Sequence, residues 1–156
     1  MISLKTLRHR ASIIQAIRRF FITRGYLEVE TPLLAPHLIP ETCLEVFKTT
    51  CLHTDNTQQD YFLIPSPEIW MKRLVALGSG SLFQITKCFR NYEPKSRLHQ
   101  PEFTMLEWYT VGHTYRDEIQ VIEELIEYLL GQMSGVMNQG NWDSDNKEVS
   151  VSGREA

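Results

Sequence analysis

Residues 89–109 hold the densest set of side chains in the chain that could do chemistry. Phe89, Arg90 and Asn91 lead into a polar, basic loop with Lys95, Arg97 and His99. After the loop come Glu102, Phe103, Thr104, Met105, Leu106, Glu107, Trp108 and Tyr109. Both flanks have strand character, so the spacing predicts strands over 82–91 and 102–111, joined as an antiparallel hairpin. Alternation puts Phe103, Met105, Glu107 and Tyr109 on one face of the second strand, and Gln84, Thr86, Cys88 and Arg90 on one face of the first. Glu107 must either face solvent or meet a cation, because an unpaired carboxylate is costly to bury among aromatics. Phe103 and Glu107 lie about 13 Å apart along a strand rising roughly 3.3 Å per residue. That span suits an extended small ligand with an aromatic base at one end and an amine at the other. Arg90, Lys95, Arg97 and His99 add potential cations beside a flat aromatic, a combination that suits a polyphosphate and a base. A salt-bridged strand glutamate and a solvated basic loop fit the same pattern.

The elements that must position this hairpin lie on either side of it. Leu4, Leu7, Ala11, Ile14, Ile17 and Phe21 recur at three- and four-residue spacing, which predicts a helix over 4–24 with Gly25 at its C-cap. Arg8, Arg19 and Arg24 fall off that stripe. Residues 26–32 alternate and read as a strand stopped by Pro32. Pro36 and Pro40 break any helix in the next stretch. Short strands are predicted at 44–47 and 61–64, around a polar turn at 54–60. Ser66, Pro67 and Glu68 supply an N-cap, a first-turn proline and an acid near the positive end of a helix that runs to Leu77 and stops at Gly78. A last helix is predicted from Thr114 to about Met133, with Ile119, Ile122, Leu125, Ile126 and Leu129 as its apolar stripe. Residues 1–133 then form the folded portion, and 134–156, rich in Gly, Asn, Asp and Ser, a polar, flexible tail.

Bulk properties narrow the class. The 156 residues suffice for one core, and 42% hydrophobic with 22% charged residues is the composition of a globular chain rather than a disordered one. A net charge of -3 gives no overall basic field to attract nucleic acid. Cys43, Cys51 and Cys88 are odd in number and form no CxxC pair, which favours reduced thiols over a metal site or disulfide. Arginines interrupt the apolar positions near the N-terminus, and no apolar run approaches the ~18 residues of a membrane span. A cytoplasmic location is expected.

Three segments together resemble the class II aminoacyl-tRNA synthetases. Residues 25–32 after a long helix are similar to motif 1, which builds the family's dimer interface and ends on Pro32. Phe89 and Arg90, with the loop and second strand, resemble motif 2, the ATP-binding hairpin. The run 101–109 and the segment 66–74 resemble the lysyl branch, and the likeness covers roughly residues 4–131. Lysyl-tRNA synthetases carry an anticodon-binding barrel before motif 1, whereas motif 1 begins here near the first residue. Trp108 and that order of parts resemble the freestanding elongation factor P–lysine ligases of the branch. The resemblance implies an α+β (α/β) fold, an antiparallel sheet flanked by helices, and a cytoplasmic homodimer. It implies ATP-dependent activation of lysine or (R)-β-lysine as an adenylate, and transfer to a lysine of elongation factor P rather than to tRNA.

Residue by residue, the resemblance implies that Arg90 contacts the α-phosphate and acts as the catalytic group. Phe103 stacks on adenine, and Arg97 and His99 lie near the outer phosphates. Asn91, Glu93 and Gln100 complete the nucleotide set. Ser66, Glu68, Glu107 and Tyr109 bind the amino-acid substrate, with Arg90 between the adenine and amine ends on the facing strand. Tyr92 stands where the family has a glutamate, and Glu93, one residue later, is the candidate to replace it. Gln100 stands where the family has asparagine. The glycine-rich motif 3, with its second ATP-binding arginine and the acidic residues that hold Mg2+, has no counterpart in residues 134–156. An incomplete sheet with half of the site, and no metal ligands in this chain, is therefore expected. Two further readings follow: a non-catalytic dimerising or nucleotide-binding paralogue, and a fragment of a tRNA-charging lysyl enzyme.

Overall fold

The computed structural model describes residues 3–37, 44–92, 94, 96 and 99–138. The chain opens with helix α1, Leu4–Thr23, whose first free amides are met by the Ser3 hydroxyl accepting from the Thr6 N–H at 3.1 Å. It closes through Gly25 at φ +79°. The Tyr26 N–H donates to the Phe21 carbonyl and the Gly25 N–H to that of Ile22, a left-handed cap that a side chain at Gly25 would strain. The chain then enters β1, Leu27–Glu28, which pairs in parallel with β5, Leu82–Phe89. The strand predicted at 26–32 is thus cut to two residues, although the Val29 N–H still reaches the Phe83 carbonyl at 2.9 Å.

The main sheet has the order β1-β5-β6, with β6 spanning Glu102–Tyr109 antiparallel to β5. One face of the hairpin is covered by α1 and by α3, Tyr115–Asn138. Phe21 sits at the centre of that core, its ring centroid 5.0 Å from those of Phe83 and Tyr26 and 5.3 Å from that of Trp108. Phe20, Val121 and Leu125 close the cluster, with Ile85 and Leu106 packed against it. This is the alternate set of β5 and β6 residues from the set carrying Arg90 and Glu107. Burying the first leaves the second on the opposite face.

A second sheet, order β2-β4-β3, comprises β2 (Leu34–Ala35), β3 (Lys48–Leu52) and β4 (Gln58–Leu63). Here the strand predicted at 44–47 reduces to a bridge between Glu45 and Asn91, and the strand forms just downstream of it. Residues 58–60, read as part of a turn, are strand. Every residue of β3 and the first half of β4 is exposed, so no apolar alternation marks them. The two sheets meet where the Phe89 N–H donates to the Ile64 carbonyl at 2.9 Å.

Helix α2, Glu68–Ala76, lies between the sheets in sequence. Its cap residue is Pro67 rather than Ser66, yet the Ser66 hydroxyl still accepts the Glu68 N–H at 3.1 Å. Gly78 at φ +87° ends the helix as Gly25 ends α1. Two helical stripes differ from expectation. The first turns of α1 leave Leu4, Leu7 and Ala11 exposed. On α3 the docked residues are Val121, Leu125, Tyr128 and Leu129, while Ile119, Ile122 and Ile126 face outward. The apolar arc of α3 is wider than one contact face, so periodicity alone chose between two adjacent stripes. The backbone of α3 also stays helical to Asn138, past Gly131. A glycine costs about 1 kcal/mol in a helix interior, which a long, docked helix absorbs. Among the described residues no helix is long and apolar enough to cross a membrane.

Candidate functional site

Register decides what the face of the hairpin away from α1 and α3 presents. Arg90 opposes Pro101, its N–H donating to the Pro101 carbonyl at 3.0 Å; Cys88 pairs with Phe103, Thr86 with Met105, Gln84 with Glu107 and Leu82 with Tyr109. The two predicted half-faces therefore join into one. Along it, the Arg90 backbone lies outside Phe103, toward the loop, and not between Phe103 and Glu107 as expected. Its guanidinium leans back to 5.2 Å from the Phe103 ring centroid, a cation–π spacing. The Arg90 Nε is buried and has no hydrogen-bond partner among the described residues.

At the other end, Glu107 is half-buried and held by two donors. The Ser66 hydroxyl donates to Oε2 at 2.7 Å, and the Tyr109 hydroxyl donates to Oε1 at 2.9 Å. No ion pair to Glu107 forms among the described residues. The structure thus brings Ser66, Glu107 and Tyr109 together across two elements far apart in sequence. Burial, and then the bond to Glu107, push the Tyr109 phenol well above its ordinary pKa. That keeps it a donor at neutral pH. Glu68 does not join this network: its carboxylate pairs with Lys72 one turn along α2. The Lys72 ammonium is held above its ordinary pKa first by Glu68, with a smaller contribution from Glu107.

The remaining expected residues are spread around the loop. The exposed Asn91 donates its N–H to the Glu45 carbonyl at 2.9 Å, and its side-chain Oδ1 accepts the Tyr92 N–H at 2.9 Å. Tyr92 itself has φ +58° and is fully in solvent. His99 Nδ1 lies 2.7 Å from the Ser96 hydroxyl, which also accepts the His99 N–H at 3.0 Å. Gln100 and Pro32 are exposed. Glu93, Lys95, Arg97 and Cys43 lie outside the described residues. Cys51 is free and exposed; Cys88 is free and buried within the site face, its thiol pushed up to about 11, chiefly by burial. It is an inert thiol at neutral pH.

Sequence reading passed over two residues here. Gln84 is fully buried opposite Glu107, and its Oε1 accepts the Thr31 hydroxyl at 3.0 Å. Gln84 falls on the right face by alternation, but only the register and burial single it out. Lys72 is visible in sequence as a Glu68 partner at helical spacing, the signal that would have found it. Among the described residues no group of three or more His, Cys, Asp or Glu side chains could hold a metal ion.

A family model described as class II tRNA synthetases (D, K and N) matches residues 3–151. The chain is 42% identical over 129 residues to an elongation factor P–(R)-β-lysine ligase of Vibrio atlanticus, covering 82% of this chain and 40% of that protein. It is 44% identical over 128 residues to the ligase of that name from Mannheimia succiniciproducens, covering 81% and 39%. For the Haemophilus influenzae ligase of that name the identity is 45% over 128 residues, again covering 81% and 39%. The chain thus spans about 40% of the length of the curated relatives it matches. With that family model matching nearly all of its residues, the chain belongs to the class II tRNA synthetase family of the D, K and N type.

Proposed function

We propose that this chain carries the hairpin half of the site of an ATP-dependent ligase that activates lysine or (R)-β-lysine and passes it to a lysine of elongation factor P. The observation that carries the reading is the two-ended face: Arg90 over Phe103 at one end, and Glu107, held by Ser66 and Tyr109 without a cation, at the other. The names of the relatives supply the substrates.

In this reading the amino-acid carboxylate attacks the α-phosphate of ATP, and pyrophosphate leaves. The acceptor lysine amine then attacks the acyl carbon, and AMP leaves. Arg90 swings off the Phe103 ring to the α-phosphate, where it stabilises the charge that develops on the equatorial oxygens, and adenine stacks on the ring it leaves. Glu107 takes the distal ammonium, and Glu68 takes an amine once Lys72 yields it. No side chain acts as a nucleophile; the face works by positioning and charge. The family uses Mg2+ with ATP, and no carboxylate cluster among the described residues fits the ion. The exposed Leu4, Leu7 and Ala11 on α1 support a homodimer through motif 1, with Pro32 at its edge; a cytoplasmic location belongs to the same reading.

ATP–pyrophosphate exchange dependent on lysine or (R)-β-lysine tests the reading. Exchange that is absent from a folded chain at high concentration refutes catalysis by this chain and favours a non-catalytic module. Transfer to tRNA instead of elongation factor P refutes the acceptor.

A further inference from the structure

We infer that Gln84 is a positioning residue of the amine end: its side-chain amide, locked by Thr31, becomes a third donor to Glu107 when that carboxylate takes an ammonium group. The inference rests on reading Glu107 as the amine-binding carboxylate. Gln84 is 1% exposed and sits on the site face of β5, in register with Glu107. Directly opposed residues of an antiparallel pair have Cβ atoms about 4.5–5.5 Å apart, so amide and carboxylate are immediate neighbours. The Thr31 hydroxyl, itself buried, donates to Gln84 Oε1 at 3.0 Å. That bond fixes the amide plane and hence the direction of the NH2 group.

The Gln84 Nε2 is buried and unpartnered. Native folds rarely leave a buried donor this way. Among the described residues the only buried side-chain nitrogens or oxygens without a partner are Gln84 Nε2 and Arg90 Nε. Both lie on one face of β5 and its continuation, at the two ends of the proposed site. Such a distribution fits a surface completed by a bound molecule. At the Arg90 end the completing group is an anion. At the Gln84 end an NH2 donor cannot bind an ammonium, which is donor-only. It can serve the acceptor between them, Glu107, which has four lone-pair sites and two donors so far. The charged and titratable groups around Glu107 are the Glu68–Lys72 pair on α2, Tyr109 on its own strand, and Cys88 and Arg90 on β5. Gln84 is the buried neighbour directly opposite Glu107 with a donor to spare.

Calorimetry of L-lysine, (R)-β-lysine and ATP on the 156-residue chain tests this, together with 15N NMR of the Gln84 side-chain amide. Gln84→Met keeps the length and removes the donor. It is expected to weaken diamine binding about tenfold, the scale of one hydrogen bond to a charged group, and to leave ATP affinity unchanged. Thr31→Val should weaken it less, Thr31→Ser should restore it, and the Gln84 NH2 resonances should move with diamine and not with ATP. Equal losses for diamine and ATP would mean a structural role and overturn the inference, as would unchanged diamine affinity in Gln84→Met. Should Gln84→Met fail to fold, the Thr31 pair and the NH2 resonances decide the matter on their own. Failure of the wild-type chain to bind any diamine overturns the reading of Glu107 as well, a result distinguishable from loss in the variants alone.

Discussion

Replacing Ser66 with alanine removes one oxygen that serves two partners. Its Oγ donates to Glu107 Oε2 at 2.7 Å and accepts the Glu68 amide at 3.1 Å. Losing a side-chain acceptor at a helix start costs about 1 kcal/mol. A hydrogen bond to a charged group contributes roughly 1.5–3 kcal/mol net. Glu107 keeps the Tyr109 hydroxyl at 2.9 Å and is only half-buried, which places the loss toward the lower end. Ser66→Ala should therefore destabilise the fold by about 2–3 kcal/mol, a large part of the roughly 5–15 kcal/mol that holds a domain. Urea unfolding of wild type, Ser66→Ala, Glu107→Leu and the double variant separates the two bonds. The α2 part of the loss persists without Glu107, whereas the Glu107 part disappears, giving a coupling of about 1–2 kcal/mol. Additivity to within roughly 0.3–0.5 kcal/mol would mean that the Ser66–Glu107 bond contributes nothing, and the account of how Glu107 is held would be wrong.

Arg90→Ala should abolish ATP binding in calorimetry while leaving the urea midpoint nearly unchanged; intact binding would count against the motif 2 assignment. Lys72→Met frees the Glu68 carboxylate and should tighten lysine binding by about two- to five-fold, the range of an exposed ion pair. Weaker binding would remove Glu68 from the amine end. Alkaline pH should destabilise the fold. The Tyr109 phenol is raised above about 10 by burial and by its bond to Glu107, and the Cys88 thiol is raised to about 11 by burial. Raised groups hold their protons in the folded state after the unfolded chain has lost them, so stability is complete below their unfolded pKa values and declines as pH climbs past them. Between pH 9 and 11 the urea midpoint should fall less steeply for Tyr109→Phe than for wild type. Identical slopes would show that the phenol is not linked to folding.

The two strands of the hairpin were legible because Phe83, Ile85, Leu106 and Trp108 recur on one face and pack into a core, although β5 is buried on its other face as well, at Leu82, Gln84 and Cys88. Phe21 and Leu125 were legible for the same reason on helices. The second sheet was not, because Lys48–Leu52 is exposed throughout and its pattern records no core. Alternation also named the faces without fixing their register. It could group Gln84 with Arg90, and Phe103 with Glu107, but not say that Gln84 opposes Glu107 or that Arg90 opposes Pro101. The Ser66–Glu107 bond was beyond pattern altogether, since it joins residues 41 apart through tertiary packing. Family resemblance supplied both as substrate residues without the bond between them.

The two faces of the β5–β6 hairpin follow opposite rules, and the difference explains why the site lies where it does. Toward the helices, Phe83, Ile85, Leu106 and Trp108 pack against Phe21 and its neighbours, and even the Trp108 N–H finds the Glu118 carboxylate at 2.6 Å. Toward the other side, among the described residues, Gln84 and Arg90 keep buried nitrogens unpartnered and Glu107 has no ion-pair partner. Each unmet buried donor costs about 1–3 kcal/mol, which the packed face must offset. A ligand with an anion at one end and an ammonium at the other would recover both terms at once, and a ligand with only one of them would recover half. Terms recovered at separate ends add, so one molecule that spans both, a lysyl-adenylate, should bind more tightly than lysine or ATP alone. An adenylate analogue that binds no more tightly than ATP would show that only one end contributes.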